Sequence, residues 1–269
     1  MTSLATTLSD SVVITKRNLI KVKRVPDLIV FATLSPIMFV LLFRYVFGGA
    51  IGGLPPGVSY AEFLLPGIFA QTIVLGSTTT GASIAEDLQK GLVDRFRSLP
   101  MAPSAVLVGR TIADAGLNVI SITVMALTGL AVGWRINSSV AEAIAGFLVL
   151  LLFAYAISWL MALVGLLVRT PEVVANASFI VIFPLTFVAN TFVPLETFPS
   201  VLRTFAEWNP VSAVVQAARN LFGNTSDLVP GPEAWSLQNP VLYTLIWVGL
   251  ILAVFVPLAV RQYQRTASR

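Results

Sequence analysis

The ionisable residues of this chain are few, and two of them stand together inside an apolar run: Arg110 and Asp114, four apart and so on one helical face. Isolated at bilayer depth either charge is costly. The pair is therefore either a functional site for a substrate or ion, or a structural ion pair in which Arg110 reaches the interface while holding Asp114. Gln71 and the run Ser77, Thr78, Thr79, Thr80 fall in one apolar stretch, and Asn176, Ser178, Thr186 and Asn190 in another. Such groups line a polar path or hydrogen-bond helix to helix. Other chemistry is excluded by composition: there is no His and no Cys, which removes Ser-His-Asp and Cys-His hydrolysis, HExxH zinc chemistry, disulfides and thiolate metal sites. No GxxxxGK[ST] loop, no GxGxxG after a strand and no paired carboxylates at matching depth are present. The expectation is a chain that is not an enzyme, holds no metal and binds no cofactor or ATP of its own.

The elements that position these residues follow from hydrophobicity. Of 269 residues 56% are hydrophobic and 11% charged, and the mean hydropathy is +0.86, too few charges to clothe a soluble domain of this length. Six apolar runs can each cross a hydrocarbon core that needs roughly 20 helical residues: Leu28 to Phe47, Phe63 to Ile84, Ala105 to Gly133, Ala143 to Val168, Val173 to Val193 and Val241 to Val260. An even count puts both termini on one side. With six spans, only Arg44, Arg135, Arg203 and Arg219 of the 17 Lys and Arg residues fall opposite the termini, so the positive-inside rule places both termini in the cytoplasm. The net charge of +4 then reports topology rather than nucleic-acid binding. Small residues Gly48, Gly49 and Ala50 follow the first run as they follow a signal peptide, but the run exceeds a signal core of about 7–15 residues, so it is expected to be retained.

Two cytoplasmic segments are amphipathic. In residues 1–27, Leu4, Leu8, Val12, Thr15, Leu19 and Val22 share one helical face, with Arg17, Lys21 and Arg24 on another. This is the pattern of an interfacial helix with cations toward anionic headgroups, or else of a basic flank that only fixes topology. Between the second and third runs, Leu88, Leu92, Phe96 and Leu99 recur at spacings of 4, 4 and 3 before Pro100. With Glu86, Asp87, Lys90, Asp94, Arg95 and Arg97 they predict a short helix, either a rod whose apolar edge presses on a soluble partner while its charges fix register, or a solvated connection.

The external connection, residues 194–240, holds two apolar segments separated by Asn209-Pro210: Val201, Leu202, Phe205 and Trp208, then Val211, Val214, Val215, Ala218, Leu221 and Phe222. Each is about half a bilayer long, so the pair either dips in and returns, or lies flat on the outer surface. Glu196, Trp208, Asn209, Pro210 and Arg219 are its polar and breaking positions.

These features together resemble the membrane subunit of ABC-2 type exporters. EDLQKGLVDRFRSLPMAPSAVLVGRTIAD (Glu86 to Asp114) is similar to that family's coupling region, and FVPLETFPSVLRTFAEWNPVSAVVQAARNLFG (Phe192 to Gly223) to its external hairpin, in wording nearest the daunorubicin-resistance-type permeases of actinobacteria. The resemblance implies an all-α membrane protein of six transmembrane helices: an amphipathic N-terminal interfacial helix (1–27), a transmembrane domain (28–260) with a coupling helix (85–100) and an external re-entrant hairpin (194–240), and a cytoplasmic tail (261–269). It implies a multi-pass protein of the bacterial plasma membrane, pairing with a second permease, identical or a sister chain, and with two ATP-binding subunits that carry the ATP and Mg. Glu86, Leu88, Leu92, Asp94, Arg95, Phe96, Arg97 and Leu99 would receive the ATPase's movement. Spans one, two and five, with Gln71, Thr78, Thr79, Asn176 and Asn190, would line the path of a hydrophobic or amphipathic compound such as a drug, antibiotic or lipid. The competing reading, an ion-coupled secondary transporter or channel, ordinarily needs a buried ionisable relay and often two related halves. A membrane scaffold without transport is the third.

Overall fold

The computed structural model describes residues 4–24, 26–48, 54, 56–91, 103–168, 170–226, 228 and 231–266. Among them every regular element is helical: α1 (Leu4–Arg24), α2 (Pro26–Leu42), which continues into a π-helical turn at Phe43–Phe47, α3 (Tyr60–Gly76), α4 (Thr78–Gln89), α5 (Pro103–Ala131), α6 (Val140–Leu167), α7 (Pro171–Phe187), α8 (Ser200–Glu207), α9 (Pro210–Phe222), α10 (Trp235–Gln238) and α11 (Pro240–Thr266). Four stretches among the described residues are long and apolar enough to cross a membrane: Tyr60–Gln89, Ser104–Ala131, Val140–Leu167 and Pro240–Arg265. They coincide with the second, third, fourth and sixth expected spans. The first and fifth correspond to shorter apolar helices, Thr33–Val46 and Pro171–Phe187.

Local chemistry sets the helix starts. Ser59 and Ser139 each accept from the backbone N–H three residues on, while Glu62 and Glu142 accept from the serine N–H in return, giving capping boxes at the starts of α3 and α6. Thr170 caps α7, with Pro171 in the first turn. The ends depart from the apolar runs. α7 stops at Phe187 rather than Val193, so Asn190 lies in a turn and not in a span; Pro184 already lacks an amide N–H, and the carbonyls beyond are claimed by other elements. α11 runs past Val260 to Thr266, because a helix leaving the apolar layer keeps its own backbone bonds and needs no apolar sequence to continue.

The core is built on α3 and α6. Leu64, Ile68 and Phe69 of α3, Leu150 and Phe153 of α6, and Val214, Val215 and Ala218 of α9 are fully buried in one cluster. α6 is packed by α11, α4, α9 and α5. Its contact with α4 is backbone against backbone: a Cβ added at Gly165 would overlap the Gly81 carbonyl, and one at Gly81 would lie 2.7 Å from the Met161 oxygen. Only glycine admits that approach. α7 buries a single stripe, Val174, Ser178, Ile182 and Thr186.

On α1, Val12 of the stripe expected at the acyl boundary is 66% exposed, while Ser11, Ile14 and Asn18 pack against α5, with Ile14 filling the space a Cβ at Gly109 would need. Thr15, expected on the same stripe, instead donates to the Gly109 carbonyl at 3.2 Å. The N-terminal helix is thus part of the bundle and keeps its Val12–Val13 side outward. The rod expected from Glu86 to Leu99 is not one helix. α4 ends at Gln89, where Gly91 adopts φ +63° and the N–H groups of Lys90 and Gly91 bond back to Glu86 and Leu88. Leu92, Asp94, Arg95, Phe96, Arg97 and Leu99 lie outside the described residues.

Candidate functional site

Arg110 and Asp114 are brought together as their spacing requires: Arg110 Nε donates to Asp114 Oδ2 at 3.2 Å, with side chains 14% and 7% exposed. The spacing did not reveal the third member. Thr80, the last hydroxyl of the Ser77 to Thr80 run, donates to the same Asp114 oxygen at 2.7 Å. Its neighbours are satisfied at home, Ser77, Thr78 and Thr79 donating to the carbonyls of Val74, Leu75 and Gly76. The run therefore spends three hydroxyls on its own helix, where α3 gives way to α4, and one on tying α4 to α5. Held by two donors from two helices, Asp114 forms a strut between α4 and α5.

Below the strut, Glu86 and Lys90 pair at the end of α4, and that carboxylate holds the Lys90 ammonium above the usual lysine range. Leu88 packs on a smaller apolar cluster formed by Ile84, Leu107, Trp159, Ala259 and Tyr263. Of the coupling residues named from sequence, Glu86 and Leu88 are thus placed at the foot of the α3–α4 rod.

The connection over residues 194–240 is tied down at both ends of α9. Asn209 accepts from Val211 N–H at 2.9 Å as the cap of α9, and its amide donates to the carbonyls of Leu185 at 2.7 Å and Val188 at 2.8 Å, closing the end of α7. One side chain joins two helix termini, and Pro210 occupies the first helical position. Arg219 is buried at 3% exposure and donates to Phe63 O at 2.9 Å and Asn190 O at 2.6 Å, with its guanidinium 3.7 Å above the Phe63 ring. It satisfies carbonyls of the 188–194 turn that no helix claims. At the far end, Asn224 accepts from Trp134 Nε1 at 2.8 Å and donates to Arg135 O at 2.8 Å, beside an aromatic cluster of Phe69, Trp134, Phe147 and Phe222. α8 differs: Val201, Leu202, Phe205 and Trp208 are exposed. Glu196 is exposed in a short turn before it, and the Trp208 carbonyl accepts from Tyr243.

The polar residues proposed to line a path separate. Gln71 is buried, and its amide nitrogen has no acceptor among the described residues. Asn176 is exposed on α7, above Glu172 and on the same face as Phe179 and Phe183. Those rings begin a row whose four-residue steps are visible in the sequence but whose junction between helices is not: Phe179, Phe183 and Phe187 of α7, then Phe192, then Phe43 and Phe39, with successive centroids 4.1–5.8 Å apart. No group of three or more His, Cys, Asp and Glu among the described residues could hold a metal.

A helical bundle with four helices long and apolar enough to cross a membrane defines the class: a multi-pass membrane protein. Residues 10–222 match the ABC-2 type transporter family, and the chain belongs to that family. It is 33% identical over 260 residues, 97% of its length and 88% of the relative's, to the daunorubicin resistance ABC transporter permease protein DrrB1 of Streptomyces coeruleorubidus. It is 24% identical over 241 residues to the probable doxorubicin resistance ABC transporter permease protein DrrC of Mycobacterium tuberculosis (89% of this chain, 83% of the relative). A more distant relative, 22% identical over 228 residues (84% and 83%), is the polysialic acid transport protein KpsM of Escherichia coli. Membership makes the chain a membrane transport subunit of an ABC exporter and implies an associated ABC ATPase subunit.

Proposed function

We propose that the chain is the permease of an ATP-driven exporter that moves a hydrophobic or amphipathic compound, a drug, antibiotic or lipid, out of the cytoplasm or inner leaflet of a bacterial plasma membrane. Two permeases, identical or sister chains, face each other, and two ATPase subunits bind ATP and Mg beneath them. Six spans, counting α2 and α7, put both termini in the cytoplasm, and the distribution of Lys and Arg supports that orientation. α8 and α9 form a hairpin that dips in from outside, α9 sheathed by protein and α8 outward, in line with the rule that such backbone at membrane depth is covered by protein.

The observation that carries the reading is the uncovered side of α2 and α7, with Leu34, Met38, Tyr45, Phe179, Ile180 and Phe183 exposed. Joined by the row of phenylalanines, these faces form an aromatic wall that suits an amphiphile moving between two permeases, with Asn176 as a polar point on it. Names of relatives that mention daunorubicin and doxorubicin resistance agree with this cargo class, and the name that mentions polysialic acid shows its breadth across the family.

Residues 85–100 are assigned to the ATPase contact. Burying a large apolar side chain there is worth roughly 1.5–3 kcal/mol, while rim charges mainly tune association. Leu92→Asp is therefore expected to lower ATPase co-purification and transport at unchanged permease abundance, and Arg97→Ala to do much less. Normal abundance with undiminished ATPase binding and transport in Leu92→Asp overturns the assignment.

A further inference from the structure

At the cytoplasmic end of the bundle, α1, α4, α5 and α11 enclose a cleft. Its polar lining is Arg17 and Asn18 from α1, Asp87 from α4, Arg110 from α5 and Tyr263 from α11, set against apolar walls that include Ile14, Ile84 and Leu107. Among the described residues two donors there have no acceptor. Asn18 is 6% exposed, and its amide makes no hydrogen bond with another described residue. Arg110 commits Nε to Asp114, which leaves its two terminal amino groups, on a side chain 14% exposed, without a carboxylate or carbonyl partner among those residues. Both side chains line the cleft, where an oxygen can meet them. A guanidinium's two terminal amino groups match the paired oxygens of a phosphate, and the amide of Asn18 supplies one more donor. Arg17 adds a second guanidinium. Asp87 on the same lining opposes a purely anionic ligand and favours one that carries its own cation. The apolar walls are of no use to a free ion but suit the first methylenes of an acyl glycerol.

We propose that this cleft binds the headgroup of a zwitterionic phospholipid from the inner leaflet, its phosphodiester on Asn18 and Arg110 and its amine toward Asp87. The bound lipid would join the N-terminal helix to the foot of α4, next to the Thr80–Asp114–Arg110 strut, and so make the segment that faces the ATPase sensitive to the membrane around it. The assignment rests on the proposed orientation, which places the cleft at the inner leaflet.

The test is native mass spectrometry of the full chain in detergent, titrated with phosphatidylethanolamine, with a phosphate-free diacyl glycolipid and with inorganic phosphate as separate arms. One phosphatidylethanolamine is expected to bind at least tenfold more tightly than the glycolipid, undisplaced by millimolar inorganic phosphate. Asn18→Leu and the paired change Arg110→Gln with Asp114→Asn, which leaves no lone buried charge, are each expected to weaken it tenfold or more while the monodisperse peak in size-exclusion chromatography is kept. Equal affinity for the glycolipid, displacement of the lipid by inorganic phosphate, or unchanged binding in a folded Asn18→Leu chain overturns the proposal. Labelling of a cysteine at Gln89 reports orientation separately, so a reversed topology with intact lipid binding would fault the placement in the membrane and not the site.

Discussion

The Thr80–Asp114–Arg110 strut makes an ordered prediction about stability. Removing one partner of a buried ion pair leaves the other uncompensated and costs about 3–5 kcal/mol. The two ends are not equivalent. Asp114, with its side chain 7% exposed, is boxed in between α4 and α5, whereas Arg110 has a long stem, lines a cleft and can turn its head toward water. Arg110→Ala should therefore reach the upper part of that range and Asp114→Ala fall below it. Thr80→Val removes one hydrogen bond to a charged acceptor, worth about 1.5–3 kcal/mol. Replacing both charges by apolar residues of similar volume, Arg110→Met with Asp114→Leu, abolishes the desolvation cost and should lie within ~1 kcal/mol of the natural chain. Unfolding of the purified chain by titration with sodium dodecyl sulfate, followed by tryptophan fluorescence, gives the four free energies on one scale. The reasoning is refuted if Arg110→Ala costs less than Asp114→Ala, or if the double replacement is as damaging as the worse single one. The latter would mean that the pair does something apolar packing cannot replace, as an ion or substrate site would.

Further outcomes follow from other contacts. Gly165→Ala should destabilise by about 1–3 kcal/mol, because the new methyl meets the Gly81 carbonyl and no flexible side chain can yield; the same unfolding titration measures it, and a neutral result would disprove the close approach of α4 and α6. Arg219→Met strips the carbonyls of Phe63 and Asn190 of their donor and should cost about 3 kcal/mol or more, read as accelerated chymotrypsin cleavage in residues 194–240; an unchanged cleavage rate would show that α9 is held without it. Since the natural chain has no cysteine, a single cysteine at Leu228, which is 78% exposed, should react with an impermeant thiol reagent on intact cells. One at Gln89 should react only after lysis, and the opposite pattern would invert the topology.

Sequence was informative where a single segment decides its own fate. The apolar runs, the break at Asn209-Pro210 and the four-residue step from Arg110 to Asp114 are local, and helices stand on each run, although those of the first and fifth are shorter than the runs themselves. It was uninformative where partners are remote. Arg219 reads as a solvent-facing cation of an external helix, yet its partners Asn190 and Phe63 lie 29 and 156 positions away. A signal existed: Val211, Val215, Arg219 and Phe222 share one helical face, so an arginine on an apolar stripe should have been expected to be buried. For Thr80 there was no such signal, because four consecutive hydroxyls look alike until one finds a carboxylate on another helix. On α1 the sequence did not show which polar side chains leave the apolar stripe: Thr15, placed on it by spacing, donates to the Gly109 carbonyl while Val12 stays outward. At a membrane surface an apolar side can face lipid while Ser11, Thr15 and Asn18 take the protein contact. The rod from Glu86 to Leu99 was overextended because a spacing of four continues through Gly91, while the backbone there turns left-handed.

The central claim, outward movement of an amphiphile driven by ATP on a partner subunit, is tested most directly by transport in sealed proteoliposomes. Permease and ATPase subunit are reconstituted with the ATPase outward, and uptake of a fluorescent lipophilic amine is followed. Uptake is expected to require ATP and Mg, to vanish without the ATPase subunit, and to fall when Phe179 and Phe183 of the aromatic wall are both changed to Ala. Uptake driven by a proton or sodium gradient with no ATPase present would contradict the account and establish the ion-coupled alternative.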